Sequence, residues 1–209
     1  MKMAVFFDVL PKSGFVDAYF AMALGLRSIA EKNTGFISVE RFKNLQRPDW
    51  YLSFSNWGDE ESLASWRCQP DHSSAQVCGR NLILEDYRLR VASEIPNPRI
   101  RIESEKAELV MAYVGNFEAI KNSLSKNTMP STVPRYFQGV INPERGIALA
   151  ECGINQSIPL ANYGESDLFD VRYFSVVRDY GMFDRAQAPQ QFYKKWQLKK
   201  IRNPPQDRS

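Results

Sequence analysis

Two stretches of this chain share one layout, and that layout leaves few folds open. From residue 1 to about 95 the pattern of apolar residues runs strand, helix, strand, strand, helix, strand. From about 105 to 182 the same order returns with shorter helices. The first stretch closes on Asp86-Tyr87-Arg88-Leu89-Arg90-Val91 and the second on Asp170-Val171-Arg172-Tyr173-Phe174-Ser175-Val176. Both are alternating polar and apolar strands that begin Asp-x-Arg. A βαββαβ unit is the ferredoxin-like arrangement, an antiparallel sheet with helices. Two such units in tandem predict an α+β protein whose sheets pack together within one chain as a pocket-forming, barrel-like pseudo-dimer. The expected division is a unit over 1–95, a linker over 96–104, a second, degenerate unit over 105–182 and a tail over 183–209.

Local signals place the elements. Met3–Leu10, rich in Val and Phe, predicts the first strand. Pro11-Lys12-Ser13-Gly14 breaks it, with Ser13 a candidate cap for a helix over Phe15–Lys32. Val16, Tyr19, Phe20, Ala23, Leu26 and Ala30 give that helix one apolar stripe. Asn33-Thr34-Gly35 suits a left-handed stop. Phe36–Asn44 and Trp50–Trp57 read as a hairpin. Asp59 is placed to cap a helix over Glu60–Arg67, and a further helix opens at Asp71 or His72 and ends at Gly79. Leu82–Ser93 completes the first unit. The second reads as a strand over Glu108–Gly115, a helix over Phe117–Ser125 and a hairpin around Asn142-Pro143-Glu144-Arg145-Gly146. A short helix over Ser157–Tyr163 and a last strand over Leu168–Arg178 follow, with the tail wrapping the outside.

Composition narrows the function classes. The chain carries 13 Phe, 9 Tyr and 4 Trp, enough to fill a core and also to wall a flat apolar pocket. Its net charge of +3 is spread along the chain, which predicts no nucleic-acid footprint. The one basic cluster is Lys194 to Arg202, read as a solvated end. Cys68, Cys78 and Cys152 show no metal or redox spacing, and their odd number suits a reducing, cytoplasmic setting. No apolar run reaches membrane-spanning length and the N-terminus carries no secretory pattern, so no membrane partner is expected. The glycines do not fall into a phosphate or dinucleotide loop. One histidine with dispersed acids does not build a metal centre, so no cofactor is expected.

Between Trp50 and Val91 the residues resemble a known family. The carriers are Tyr51 to Arg67 (Tyr-Leu-Ser-Phe-Ser-Asn-Trp-Gly-Asp-Glu-Glu-Ser-Leu-Ala-Ser-Trp-Arg), Pro70-Asp71-His72, Ala75-Gln76, Gly79-Arg80 and Asp86 to Val91, with Gly35 to Phe42 fitting the second strand. Together they are similar to the antibiotic biosynthesis monooxygenases. Val176 to Pro189 separately resembles the tail of single-domain bacterial members, where it follows the fourth strand directly. Here about 80 residues intervene, as a repeat or an insertion. The resemblance implies a dimeric α+β barrel with a pocket between each sheet and its helices. It also implies either oxidation of aromatic polyketide intermediates by molecular oxygen without metal or flavin, or haem degradation. The second would want an axial histidine near Gln76, where none stands, and is disfavoured.

The candidate site residues follow. His72, the only histidine, is the one available imidazole base, or else a surface histidine at a helix start. Trp66 lies on the apolar face of its helix and walls a flat substrate or fills core. Trp57 ends the third strand, with Asn56 beside it as a polar handle. Arg80 offers a counter-charge to an anionic product. Tyr87 and Arg88 alternate, so one of them faces the pocket; Glu40 and Arg41 divide the same way. Asp8 interrupts an apolar strand and is a base with a raised pKa if buried, or inert if exposed.

The expected function is a cofactor-independent monooxygenase that oxidises a small aromatic or quinone-like substrate with molecular oxygen. Its catalytic residues would be His72 and Trp66, with Trp57, Asn56, Tyr87 and Arg80 binding substrate. The alternative is a non-catalytic protein that holds a hydrophobic ligand in the same barrel. A homodimer stays open.

Overall fold

The computed structural model describes residues 1–96, 102–103, 108–126, 133–152, 157–158 and 167–189. The first half comprises β1 (Met3–Pro11), α1 (Val16–Ala30), β2 (Phe36–Asn44), β3 (Tyr51–Trp57), α2 (Glu60–Arg67), α3 (Pro70–Cys78), a π turn (Gly79–Ile83) and β4 (Leu84–Ile95). The second comprises a short β5 (Ile102–Glu103), β6 (Leu109–Asn116), α4 (Phe117–Lys126), β7 (Arg135–Gly139), β8 (Arg145–Cys152), a short β9 (Ser157–Ile158) and β10 (Phe169–Gly181). Eight strands close a barrel in the order β1-β3-β2-β7-β8-β6-β10-β4. Each half contributes the ferredoxin-like order: β4-β1-β3-β2 from the first and β10-β6-β8-β7 from the second. One chain therefore closes the barrel by itself. Its seams are β2 on β7, from Phe42 opposite Gly139 to Asn44 opposite Phe137, and the longer β10 on β4.

Alternation along each strand sorts the side chains between two compartments. Ala4, Phe6, Leu52, Phe54, Phe137 and Phe174 point inward and form a dry barrel core. The outward face of the first sheet is covered by α1, α2 and α3, and that of the second by α4. Phe117, Ile120 and Leu124 are the buried side of α4, as its spacing predicts. Ile120 and Leu124 pack on Met111, Tyr113, Ala148 and neighbours.

One end of the barrel holds a network of charge, buried at Arg90 and Asp8 and half-buried around them, instead of hydrocarbon. The Arg90 side chain is wholly buried and reaches Asp8 at 3.1 Å, Glu151 at 2.7 Å and Glu108 at 3.3 Å. Arg135 pairs with Asp8 at 3.0 Å and also with Glu151. Arg88 joins Asp179 and Glu108. Asp8, Arg88 and Arg90 come from the first half, the others from the second, so the network ties the halves together. This corrects the exposed reading of Asp8. It is buried but doubly paired with arginine, and so is not a free base. Burial pushes the Glu151 carboxyl up, but Arg90 and Arg135 outweigh it and hold the group down to about 2, below its ordinary 4.5. The unfolded chain therefore binds this proton first. Stability from Glu151 is full above pH 4.5 and drains away as pH falls toward 2. An acid-unfolding titration should show Glu151→Gln lowering stability at pH 7 and flattening this part of the acid limb.

Several local expectations change. Ser13 does not cap α1; the cap position is Phe15, without a side-chain bond. Gly35 does not adopt a left-handed turn, since Gly14 is the positive-φ glycine among the described residues. Gly35 is required by close packing, because a Cβ there would lie 2.1 Å from Ser62 Oγ. The α-helix α3 ends at Cys78 with Gly79 as its cap, as expected, but a π turn follows directly and delays β4 to Leu84. Ser157–Ile158 is a strand paired with Ile102–Glu103, not the start of a helix, and 159–163 lie outside the described residues. That pairing also places a short strand inside the expected linker. The last strand extends through Asp179 to Gly181.

Gly115 gives a direct packing test. A Cβ there would lie 2.4 Å from the Leu168 carbonyl oxygen and 2.4 Å from Phe169 Cα, backbone atoms where the chain enters the paired strand. Gly115→Ala should cost about 3 kcal/mol, at the upper end of overpacking, read as a lowered urea midpoint.

Candidate active site

Between the first sheet and its three helices lies a cavity of about 220 Å³. Its floor is the outward face of β1, β3 and β4, including Phe7, Trp57 and Leu89. Helix α1 closes one side with Tyr19 and Ala23, and α2 and α3 close the other.

The α2–α3 wall is built from local signals. Asp59 caps α2 by accepting from the Ser62 amide at 2.7 Å, as its sequence position predicts. The helix then turns Leu63 and Trp66 inward. Pro70 opens α3 and the Gln69 side chain caps it, accepting from the His72 amide at 2.7 Å. Helical spacing carries His72, Ala75, Gln76 and Gly79 to the cavity, and the π turn brings Arg80 after them.

The rings on this wall form a stack. His72 lies on Trp66 with centroids 4.2 Å apart and planes 13° apart. Trp66 lies over Trp57 at 6.0 Å and 28°, and Phe36 meets Trp57 edge-on at 5.3 Å. Trp57 is fixed by its indole N–H, which donates to Ser55 Oγ at 3.0 Å. His72 Nδ1 sits 3.0 Å from the Trp66 carbonyl oxygen. A carbonyl only accepts, so Nδ1 carries the proton and Nε2 the lone pair. The Gln76 amide nitrogen at 3.3 Å from Nδ1 is the weaker contact. Burial pushes the His72 pKa down to about 4; the Trp66 carbonyl partly opposes this and Arg67 adds to it. The imidazole is neutral at pH 7, with Nε2 available as an acceptor.

Of the residues singled out in the sequence, His72, Trp66, Trp57, Tyr87 and Arg80 all line this cavity. Asn56 does not. It is next to Trp57 on β3 and so points to the opposite face, where its amide donates to Ser38 Oγ at 3.0 Å inside the barrel. The alternations resolve the same way. Tyr87 faces the cavity while Arg88 faces the charged end of the barrel. Arg41 faces the cavity and donates to the Ala23 carbonyl at 3.0 Å, while Glu40 pairs with Arg145. A register shift between Phe36 and Ser38 moves Phe36 onto the cavity face with Val39 and Arg41.

Sequence reading missed what β10 and the tail contribute. Phe174 and Val176 face the barrel core. The register on β4 then shifts: Val176 is opposite Ala92, but Arg178 is opposite Val91. This bulge turns Arg178 and Tyr180 outward into the first half's cavity. Arg185 and Pro189 follow from the tail, and Arg185 Nη1 donates to the Tyr87 hydroxyl at 2.5 Å. The basic cluster 194–202 lies outside the described residues.

A family profile described as antibiotic biosynthesis monooxygenase matches residues 3–77. A protein of Pyricularia oryzae called jasmonate monooxygenase ABM is 35% identical over 91% of this chain and 97% of its own length. Among solved structures, a crystal structure of aldoxime dehydratase covers 84% of this chain and 81% of that one, at 8% identity and a TM-score of 0.51. A putative monooxygenase from Fusobacterium nucleatum covers 85% of this chain and 93% of that one, at 9% identity and a TM-score of 0.43. The profile and the Pyricularia relative together support an enzyme of the monooxygenase class. The chain belongs to the antibiotic biosynthesis monooxygenase family.

Proposed function

We propose that the protein oxidises a small aromatic or quinone-like substrate with molecular oxygen, without an added cofactor, in the cavity of the first half. The observation that carries this reading is the His72–Trp66–Trp57 stack, a flat apolar wall with one imidazole nitrogen, Nε2, that has no partner among the described residues. The unit over 1–95 holds the chemistry, the unit over 105–182 completes the barrel, and Arg185 and Pro189 of the tail line the cavity.

A hydroxyarene such as a naphthol illustrates the balance. His72 Nε2 takes the hydroxyl proton, and the resulting anion passes an electron to oxygen. Recombination forms a carbon–oxygen bond at an activated ring carbon. The imidazolium returns its proton to the peroxide. Loss of the ring C–H proton then breaks the O–O bond and leaves a quinone carbonyl and water. One oxygen atom enters the product, the other leaves as water, and the substrate supplies every electron. A group with a pKa of about 4 is a weak base in the empty cavity. A bound anion beside it favours the charged imidazolium and raises that value where it is needed. The dry aromatic wall keeps competing water away.

A jasmonate is the second reading, favoured by the Pyricularia relative's name. Hydroxylating its unactivated C–H bond draws two electrons from an external reductant. Oxygen uptake separates the two. Metal-stripped protein is given anthrones, naphthols and hydroquinones without reductant, and jasmonate with and without ascorbate. Uptake on the first set alone supports the aromatic reading. Uptake on jasmonate that requires ascorbate supports the second. No uptake above the spontaneous rate in either arm overturns both and leaves ligand binding.

A further inference from the structure

Three guanidinium groups line the cavity within electrostatic reach of Arg67: Arg67 itself from the last turn of α2, Arg178 from the bulged part of β10 and Arg185 from the tail. They feel one another: burial lowers the pKa of Arg67 most, Tyr180 and Cys68 oppose this, and the charges of Arg178 and Arg185 add smaller lowering effects. The described residues supply one acid among them, Glu60, which pairs with Arg178. Arg185 Nη1 donates to the Tyr87 hydroxyl. Arg67 Nη1 and Arg178 Nε are buried and have no hydrogen-bond partner among the described residues. Buried donors are normally satisfied, and three cations against one carboxylate leave a deficit of negative charge.

We infer that Arg67, Arg178 and Arg185 bind a carboxylate carried by the substrate, so that the ligand's apolar ring lies toward the Trp66 wall and its acid group toward the mouth. This rests on the proposed use of the cavity as the substrate site and deepens it to aromatic or cyclic carboxylic acids. A carboxylate accepts from two guanidinium groups at once, which fits the two unsatisfied donors. The site is composite. Two of its three cations come from beyond residue 170, so the second half and the tail complete the first half's pocket as well as the barrel.

The test is calorimetric binding of 2-naphthoate and of methyl 2-naphthoate to the full chain under nitrogen. The pair share a ring and differ in charge. Wild type should prefer the acid by at least about tenfold, the order expected for one charge-assisted pair. Arg67→Met should bring the two ligands to parity by weakening the acid alone, and Arg178→Met should act in the same direction. Glu60→Gln removes the competing carboxylate and should tighten the acid while leaving the ester unchanged, which a merely structural role would not do. Melting temperatures establish that each variant is folded. Equal wild-type affinity for acid and ester, or an Arg67→Met loss shared by both ligands, overturns the inference. Neither outcome depends on turnover, so failure here is distinct from failure of the oxygenase reading, which oxygen uptake decides.

Discussion

His72→Ala lowers kcat for oxygen uptake by about 100-fold or more, the range for removing a positioned proton acceptor. The loss has two separable sources, because His72 both offers Nε2 and stacks on Trp66 at 4.2 Å. His72→Phe keeps a flat ring on the stack and removes the acceptor. If proton acceptance matters, phenylalanine is as damaging as alanine; if stacking alone matters, phenylalanine restores most of the rate. The pH profile gives a second check. With the free imidazole at about 4, its neutral form is present throughout the neutral range. The His72-dependent limb of kcat/KM is therefore flat from pH 8 down to about 5 and falls below that, as the group titrates. An unshifted histidine would put the limb near 6.5.

Arg90→Met destabilises the fold by about 3–5 kcal/mol, the usual cost of breaking a buried ion pair from one side. The wild-type guanidinium is wholly buried between Asp8, Glu108 and Glu151. Methionine fills much of the same volume, so the loss reports uncompensated carboxylates more than a cavity. Adding Asp8→Asn to Arg90→Met removes one stranded charge, and should recover part of the loss where Asp8→Asn alone is destabilising. Urea denaturation of the four proteins gives this coupling, and additive losses would mean the residues do not act as one network. The consequence reaches the cavity, because the network anchors β10 across the seam, and Arg178 and Tyr180 lie on that strand.

Much of the fold is legible because local and tertiary preferences agree. Asp59 with Ser62, the alternating strands and the Asn142–Gly146 turn each specify an element without help from distant residues. The stacked wall is legible in part for the same reason: Trp66 sits on a helix whose Asp59 cap can be read, while α3 opens at Pro70 behind a Gln69 cap, ahead of the Asp71 or His72 start that the sequence suggests. The rest depends on contacts that no window contains. Asp8 is conspicuous in its apolar strand, but its partners stand 82 and 127 residues away, and only they decide whether it is a base or a strut. Asn56 reads as a polar neighbour of Trp57, while strand alternation sends it to the other compartment. Strict alternation would put Arg178 in phase with the inward Phe174 and Val176, and the register shift after Val176 reverses it. Arg67 looks like the common basic residue that complements a helix C-terminus. What marks it out is the convergence of Arg178 and Arg185 from the far end of the chain.

The most direct measurement is the fate of heavy-isotope oxygen gas supplied to metal-stripped protein with a naphthol substrate. The account predicts that one labelled atom enters the quinone and its partner appears in water. It also predicts that the labelled product falls to the spontaneous level in His72→Ala. Oxygen drawn from solvent, or labelled product formed equally well without His72, would contradict it.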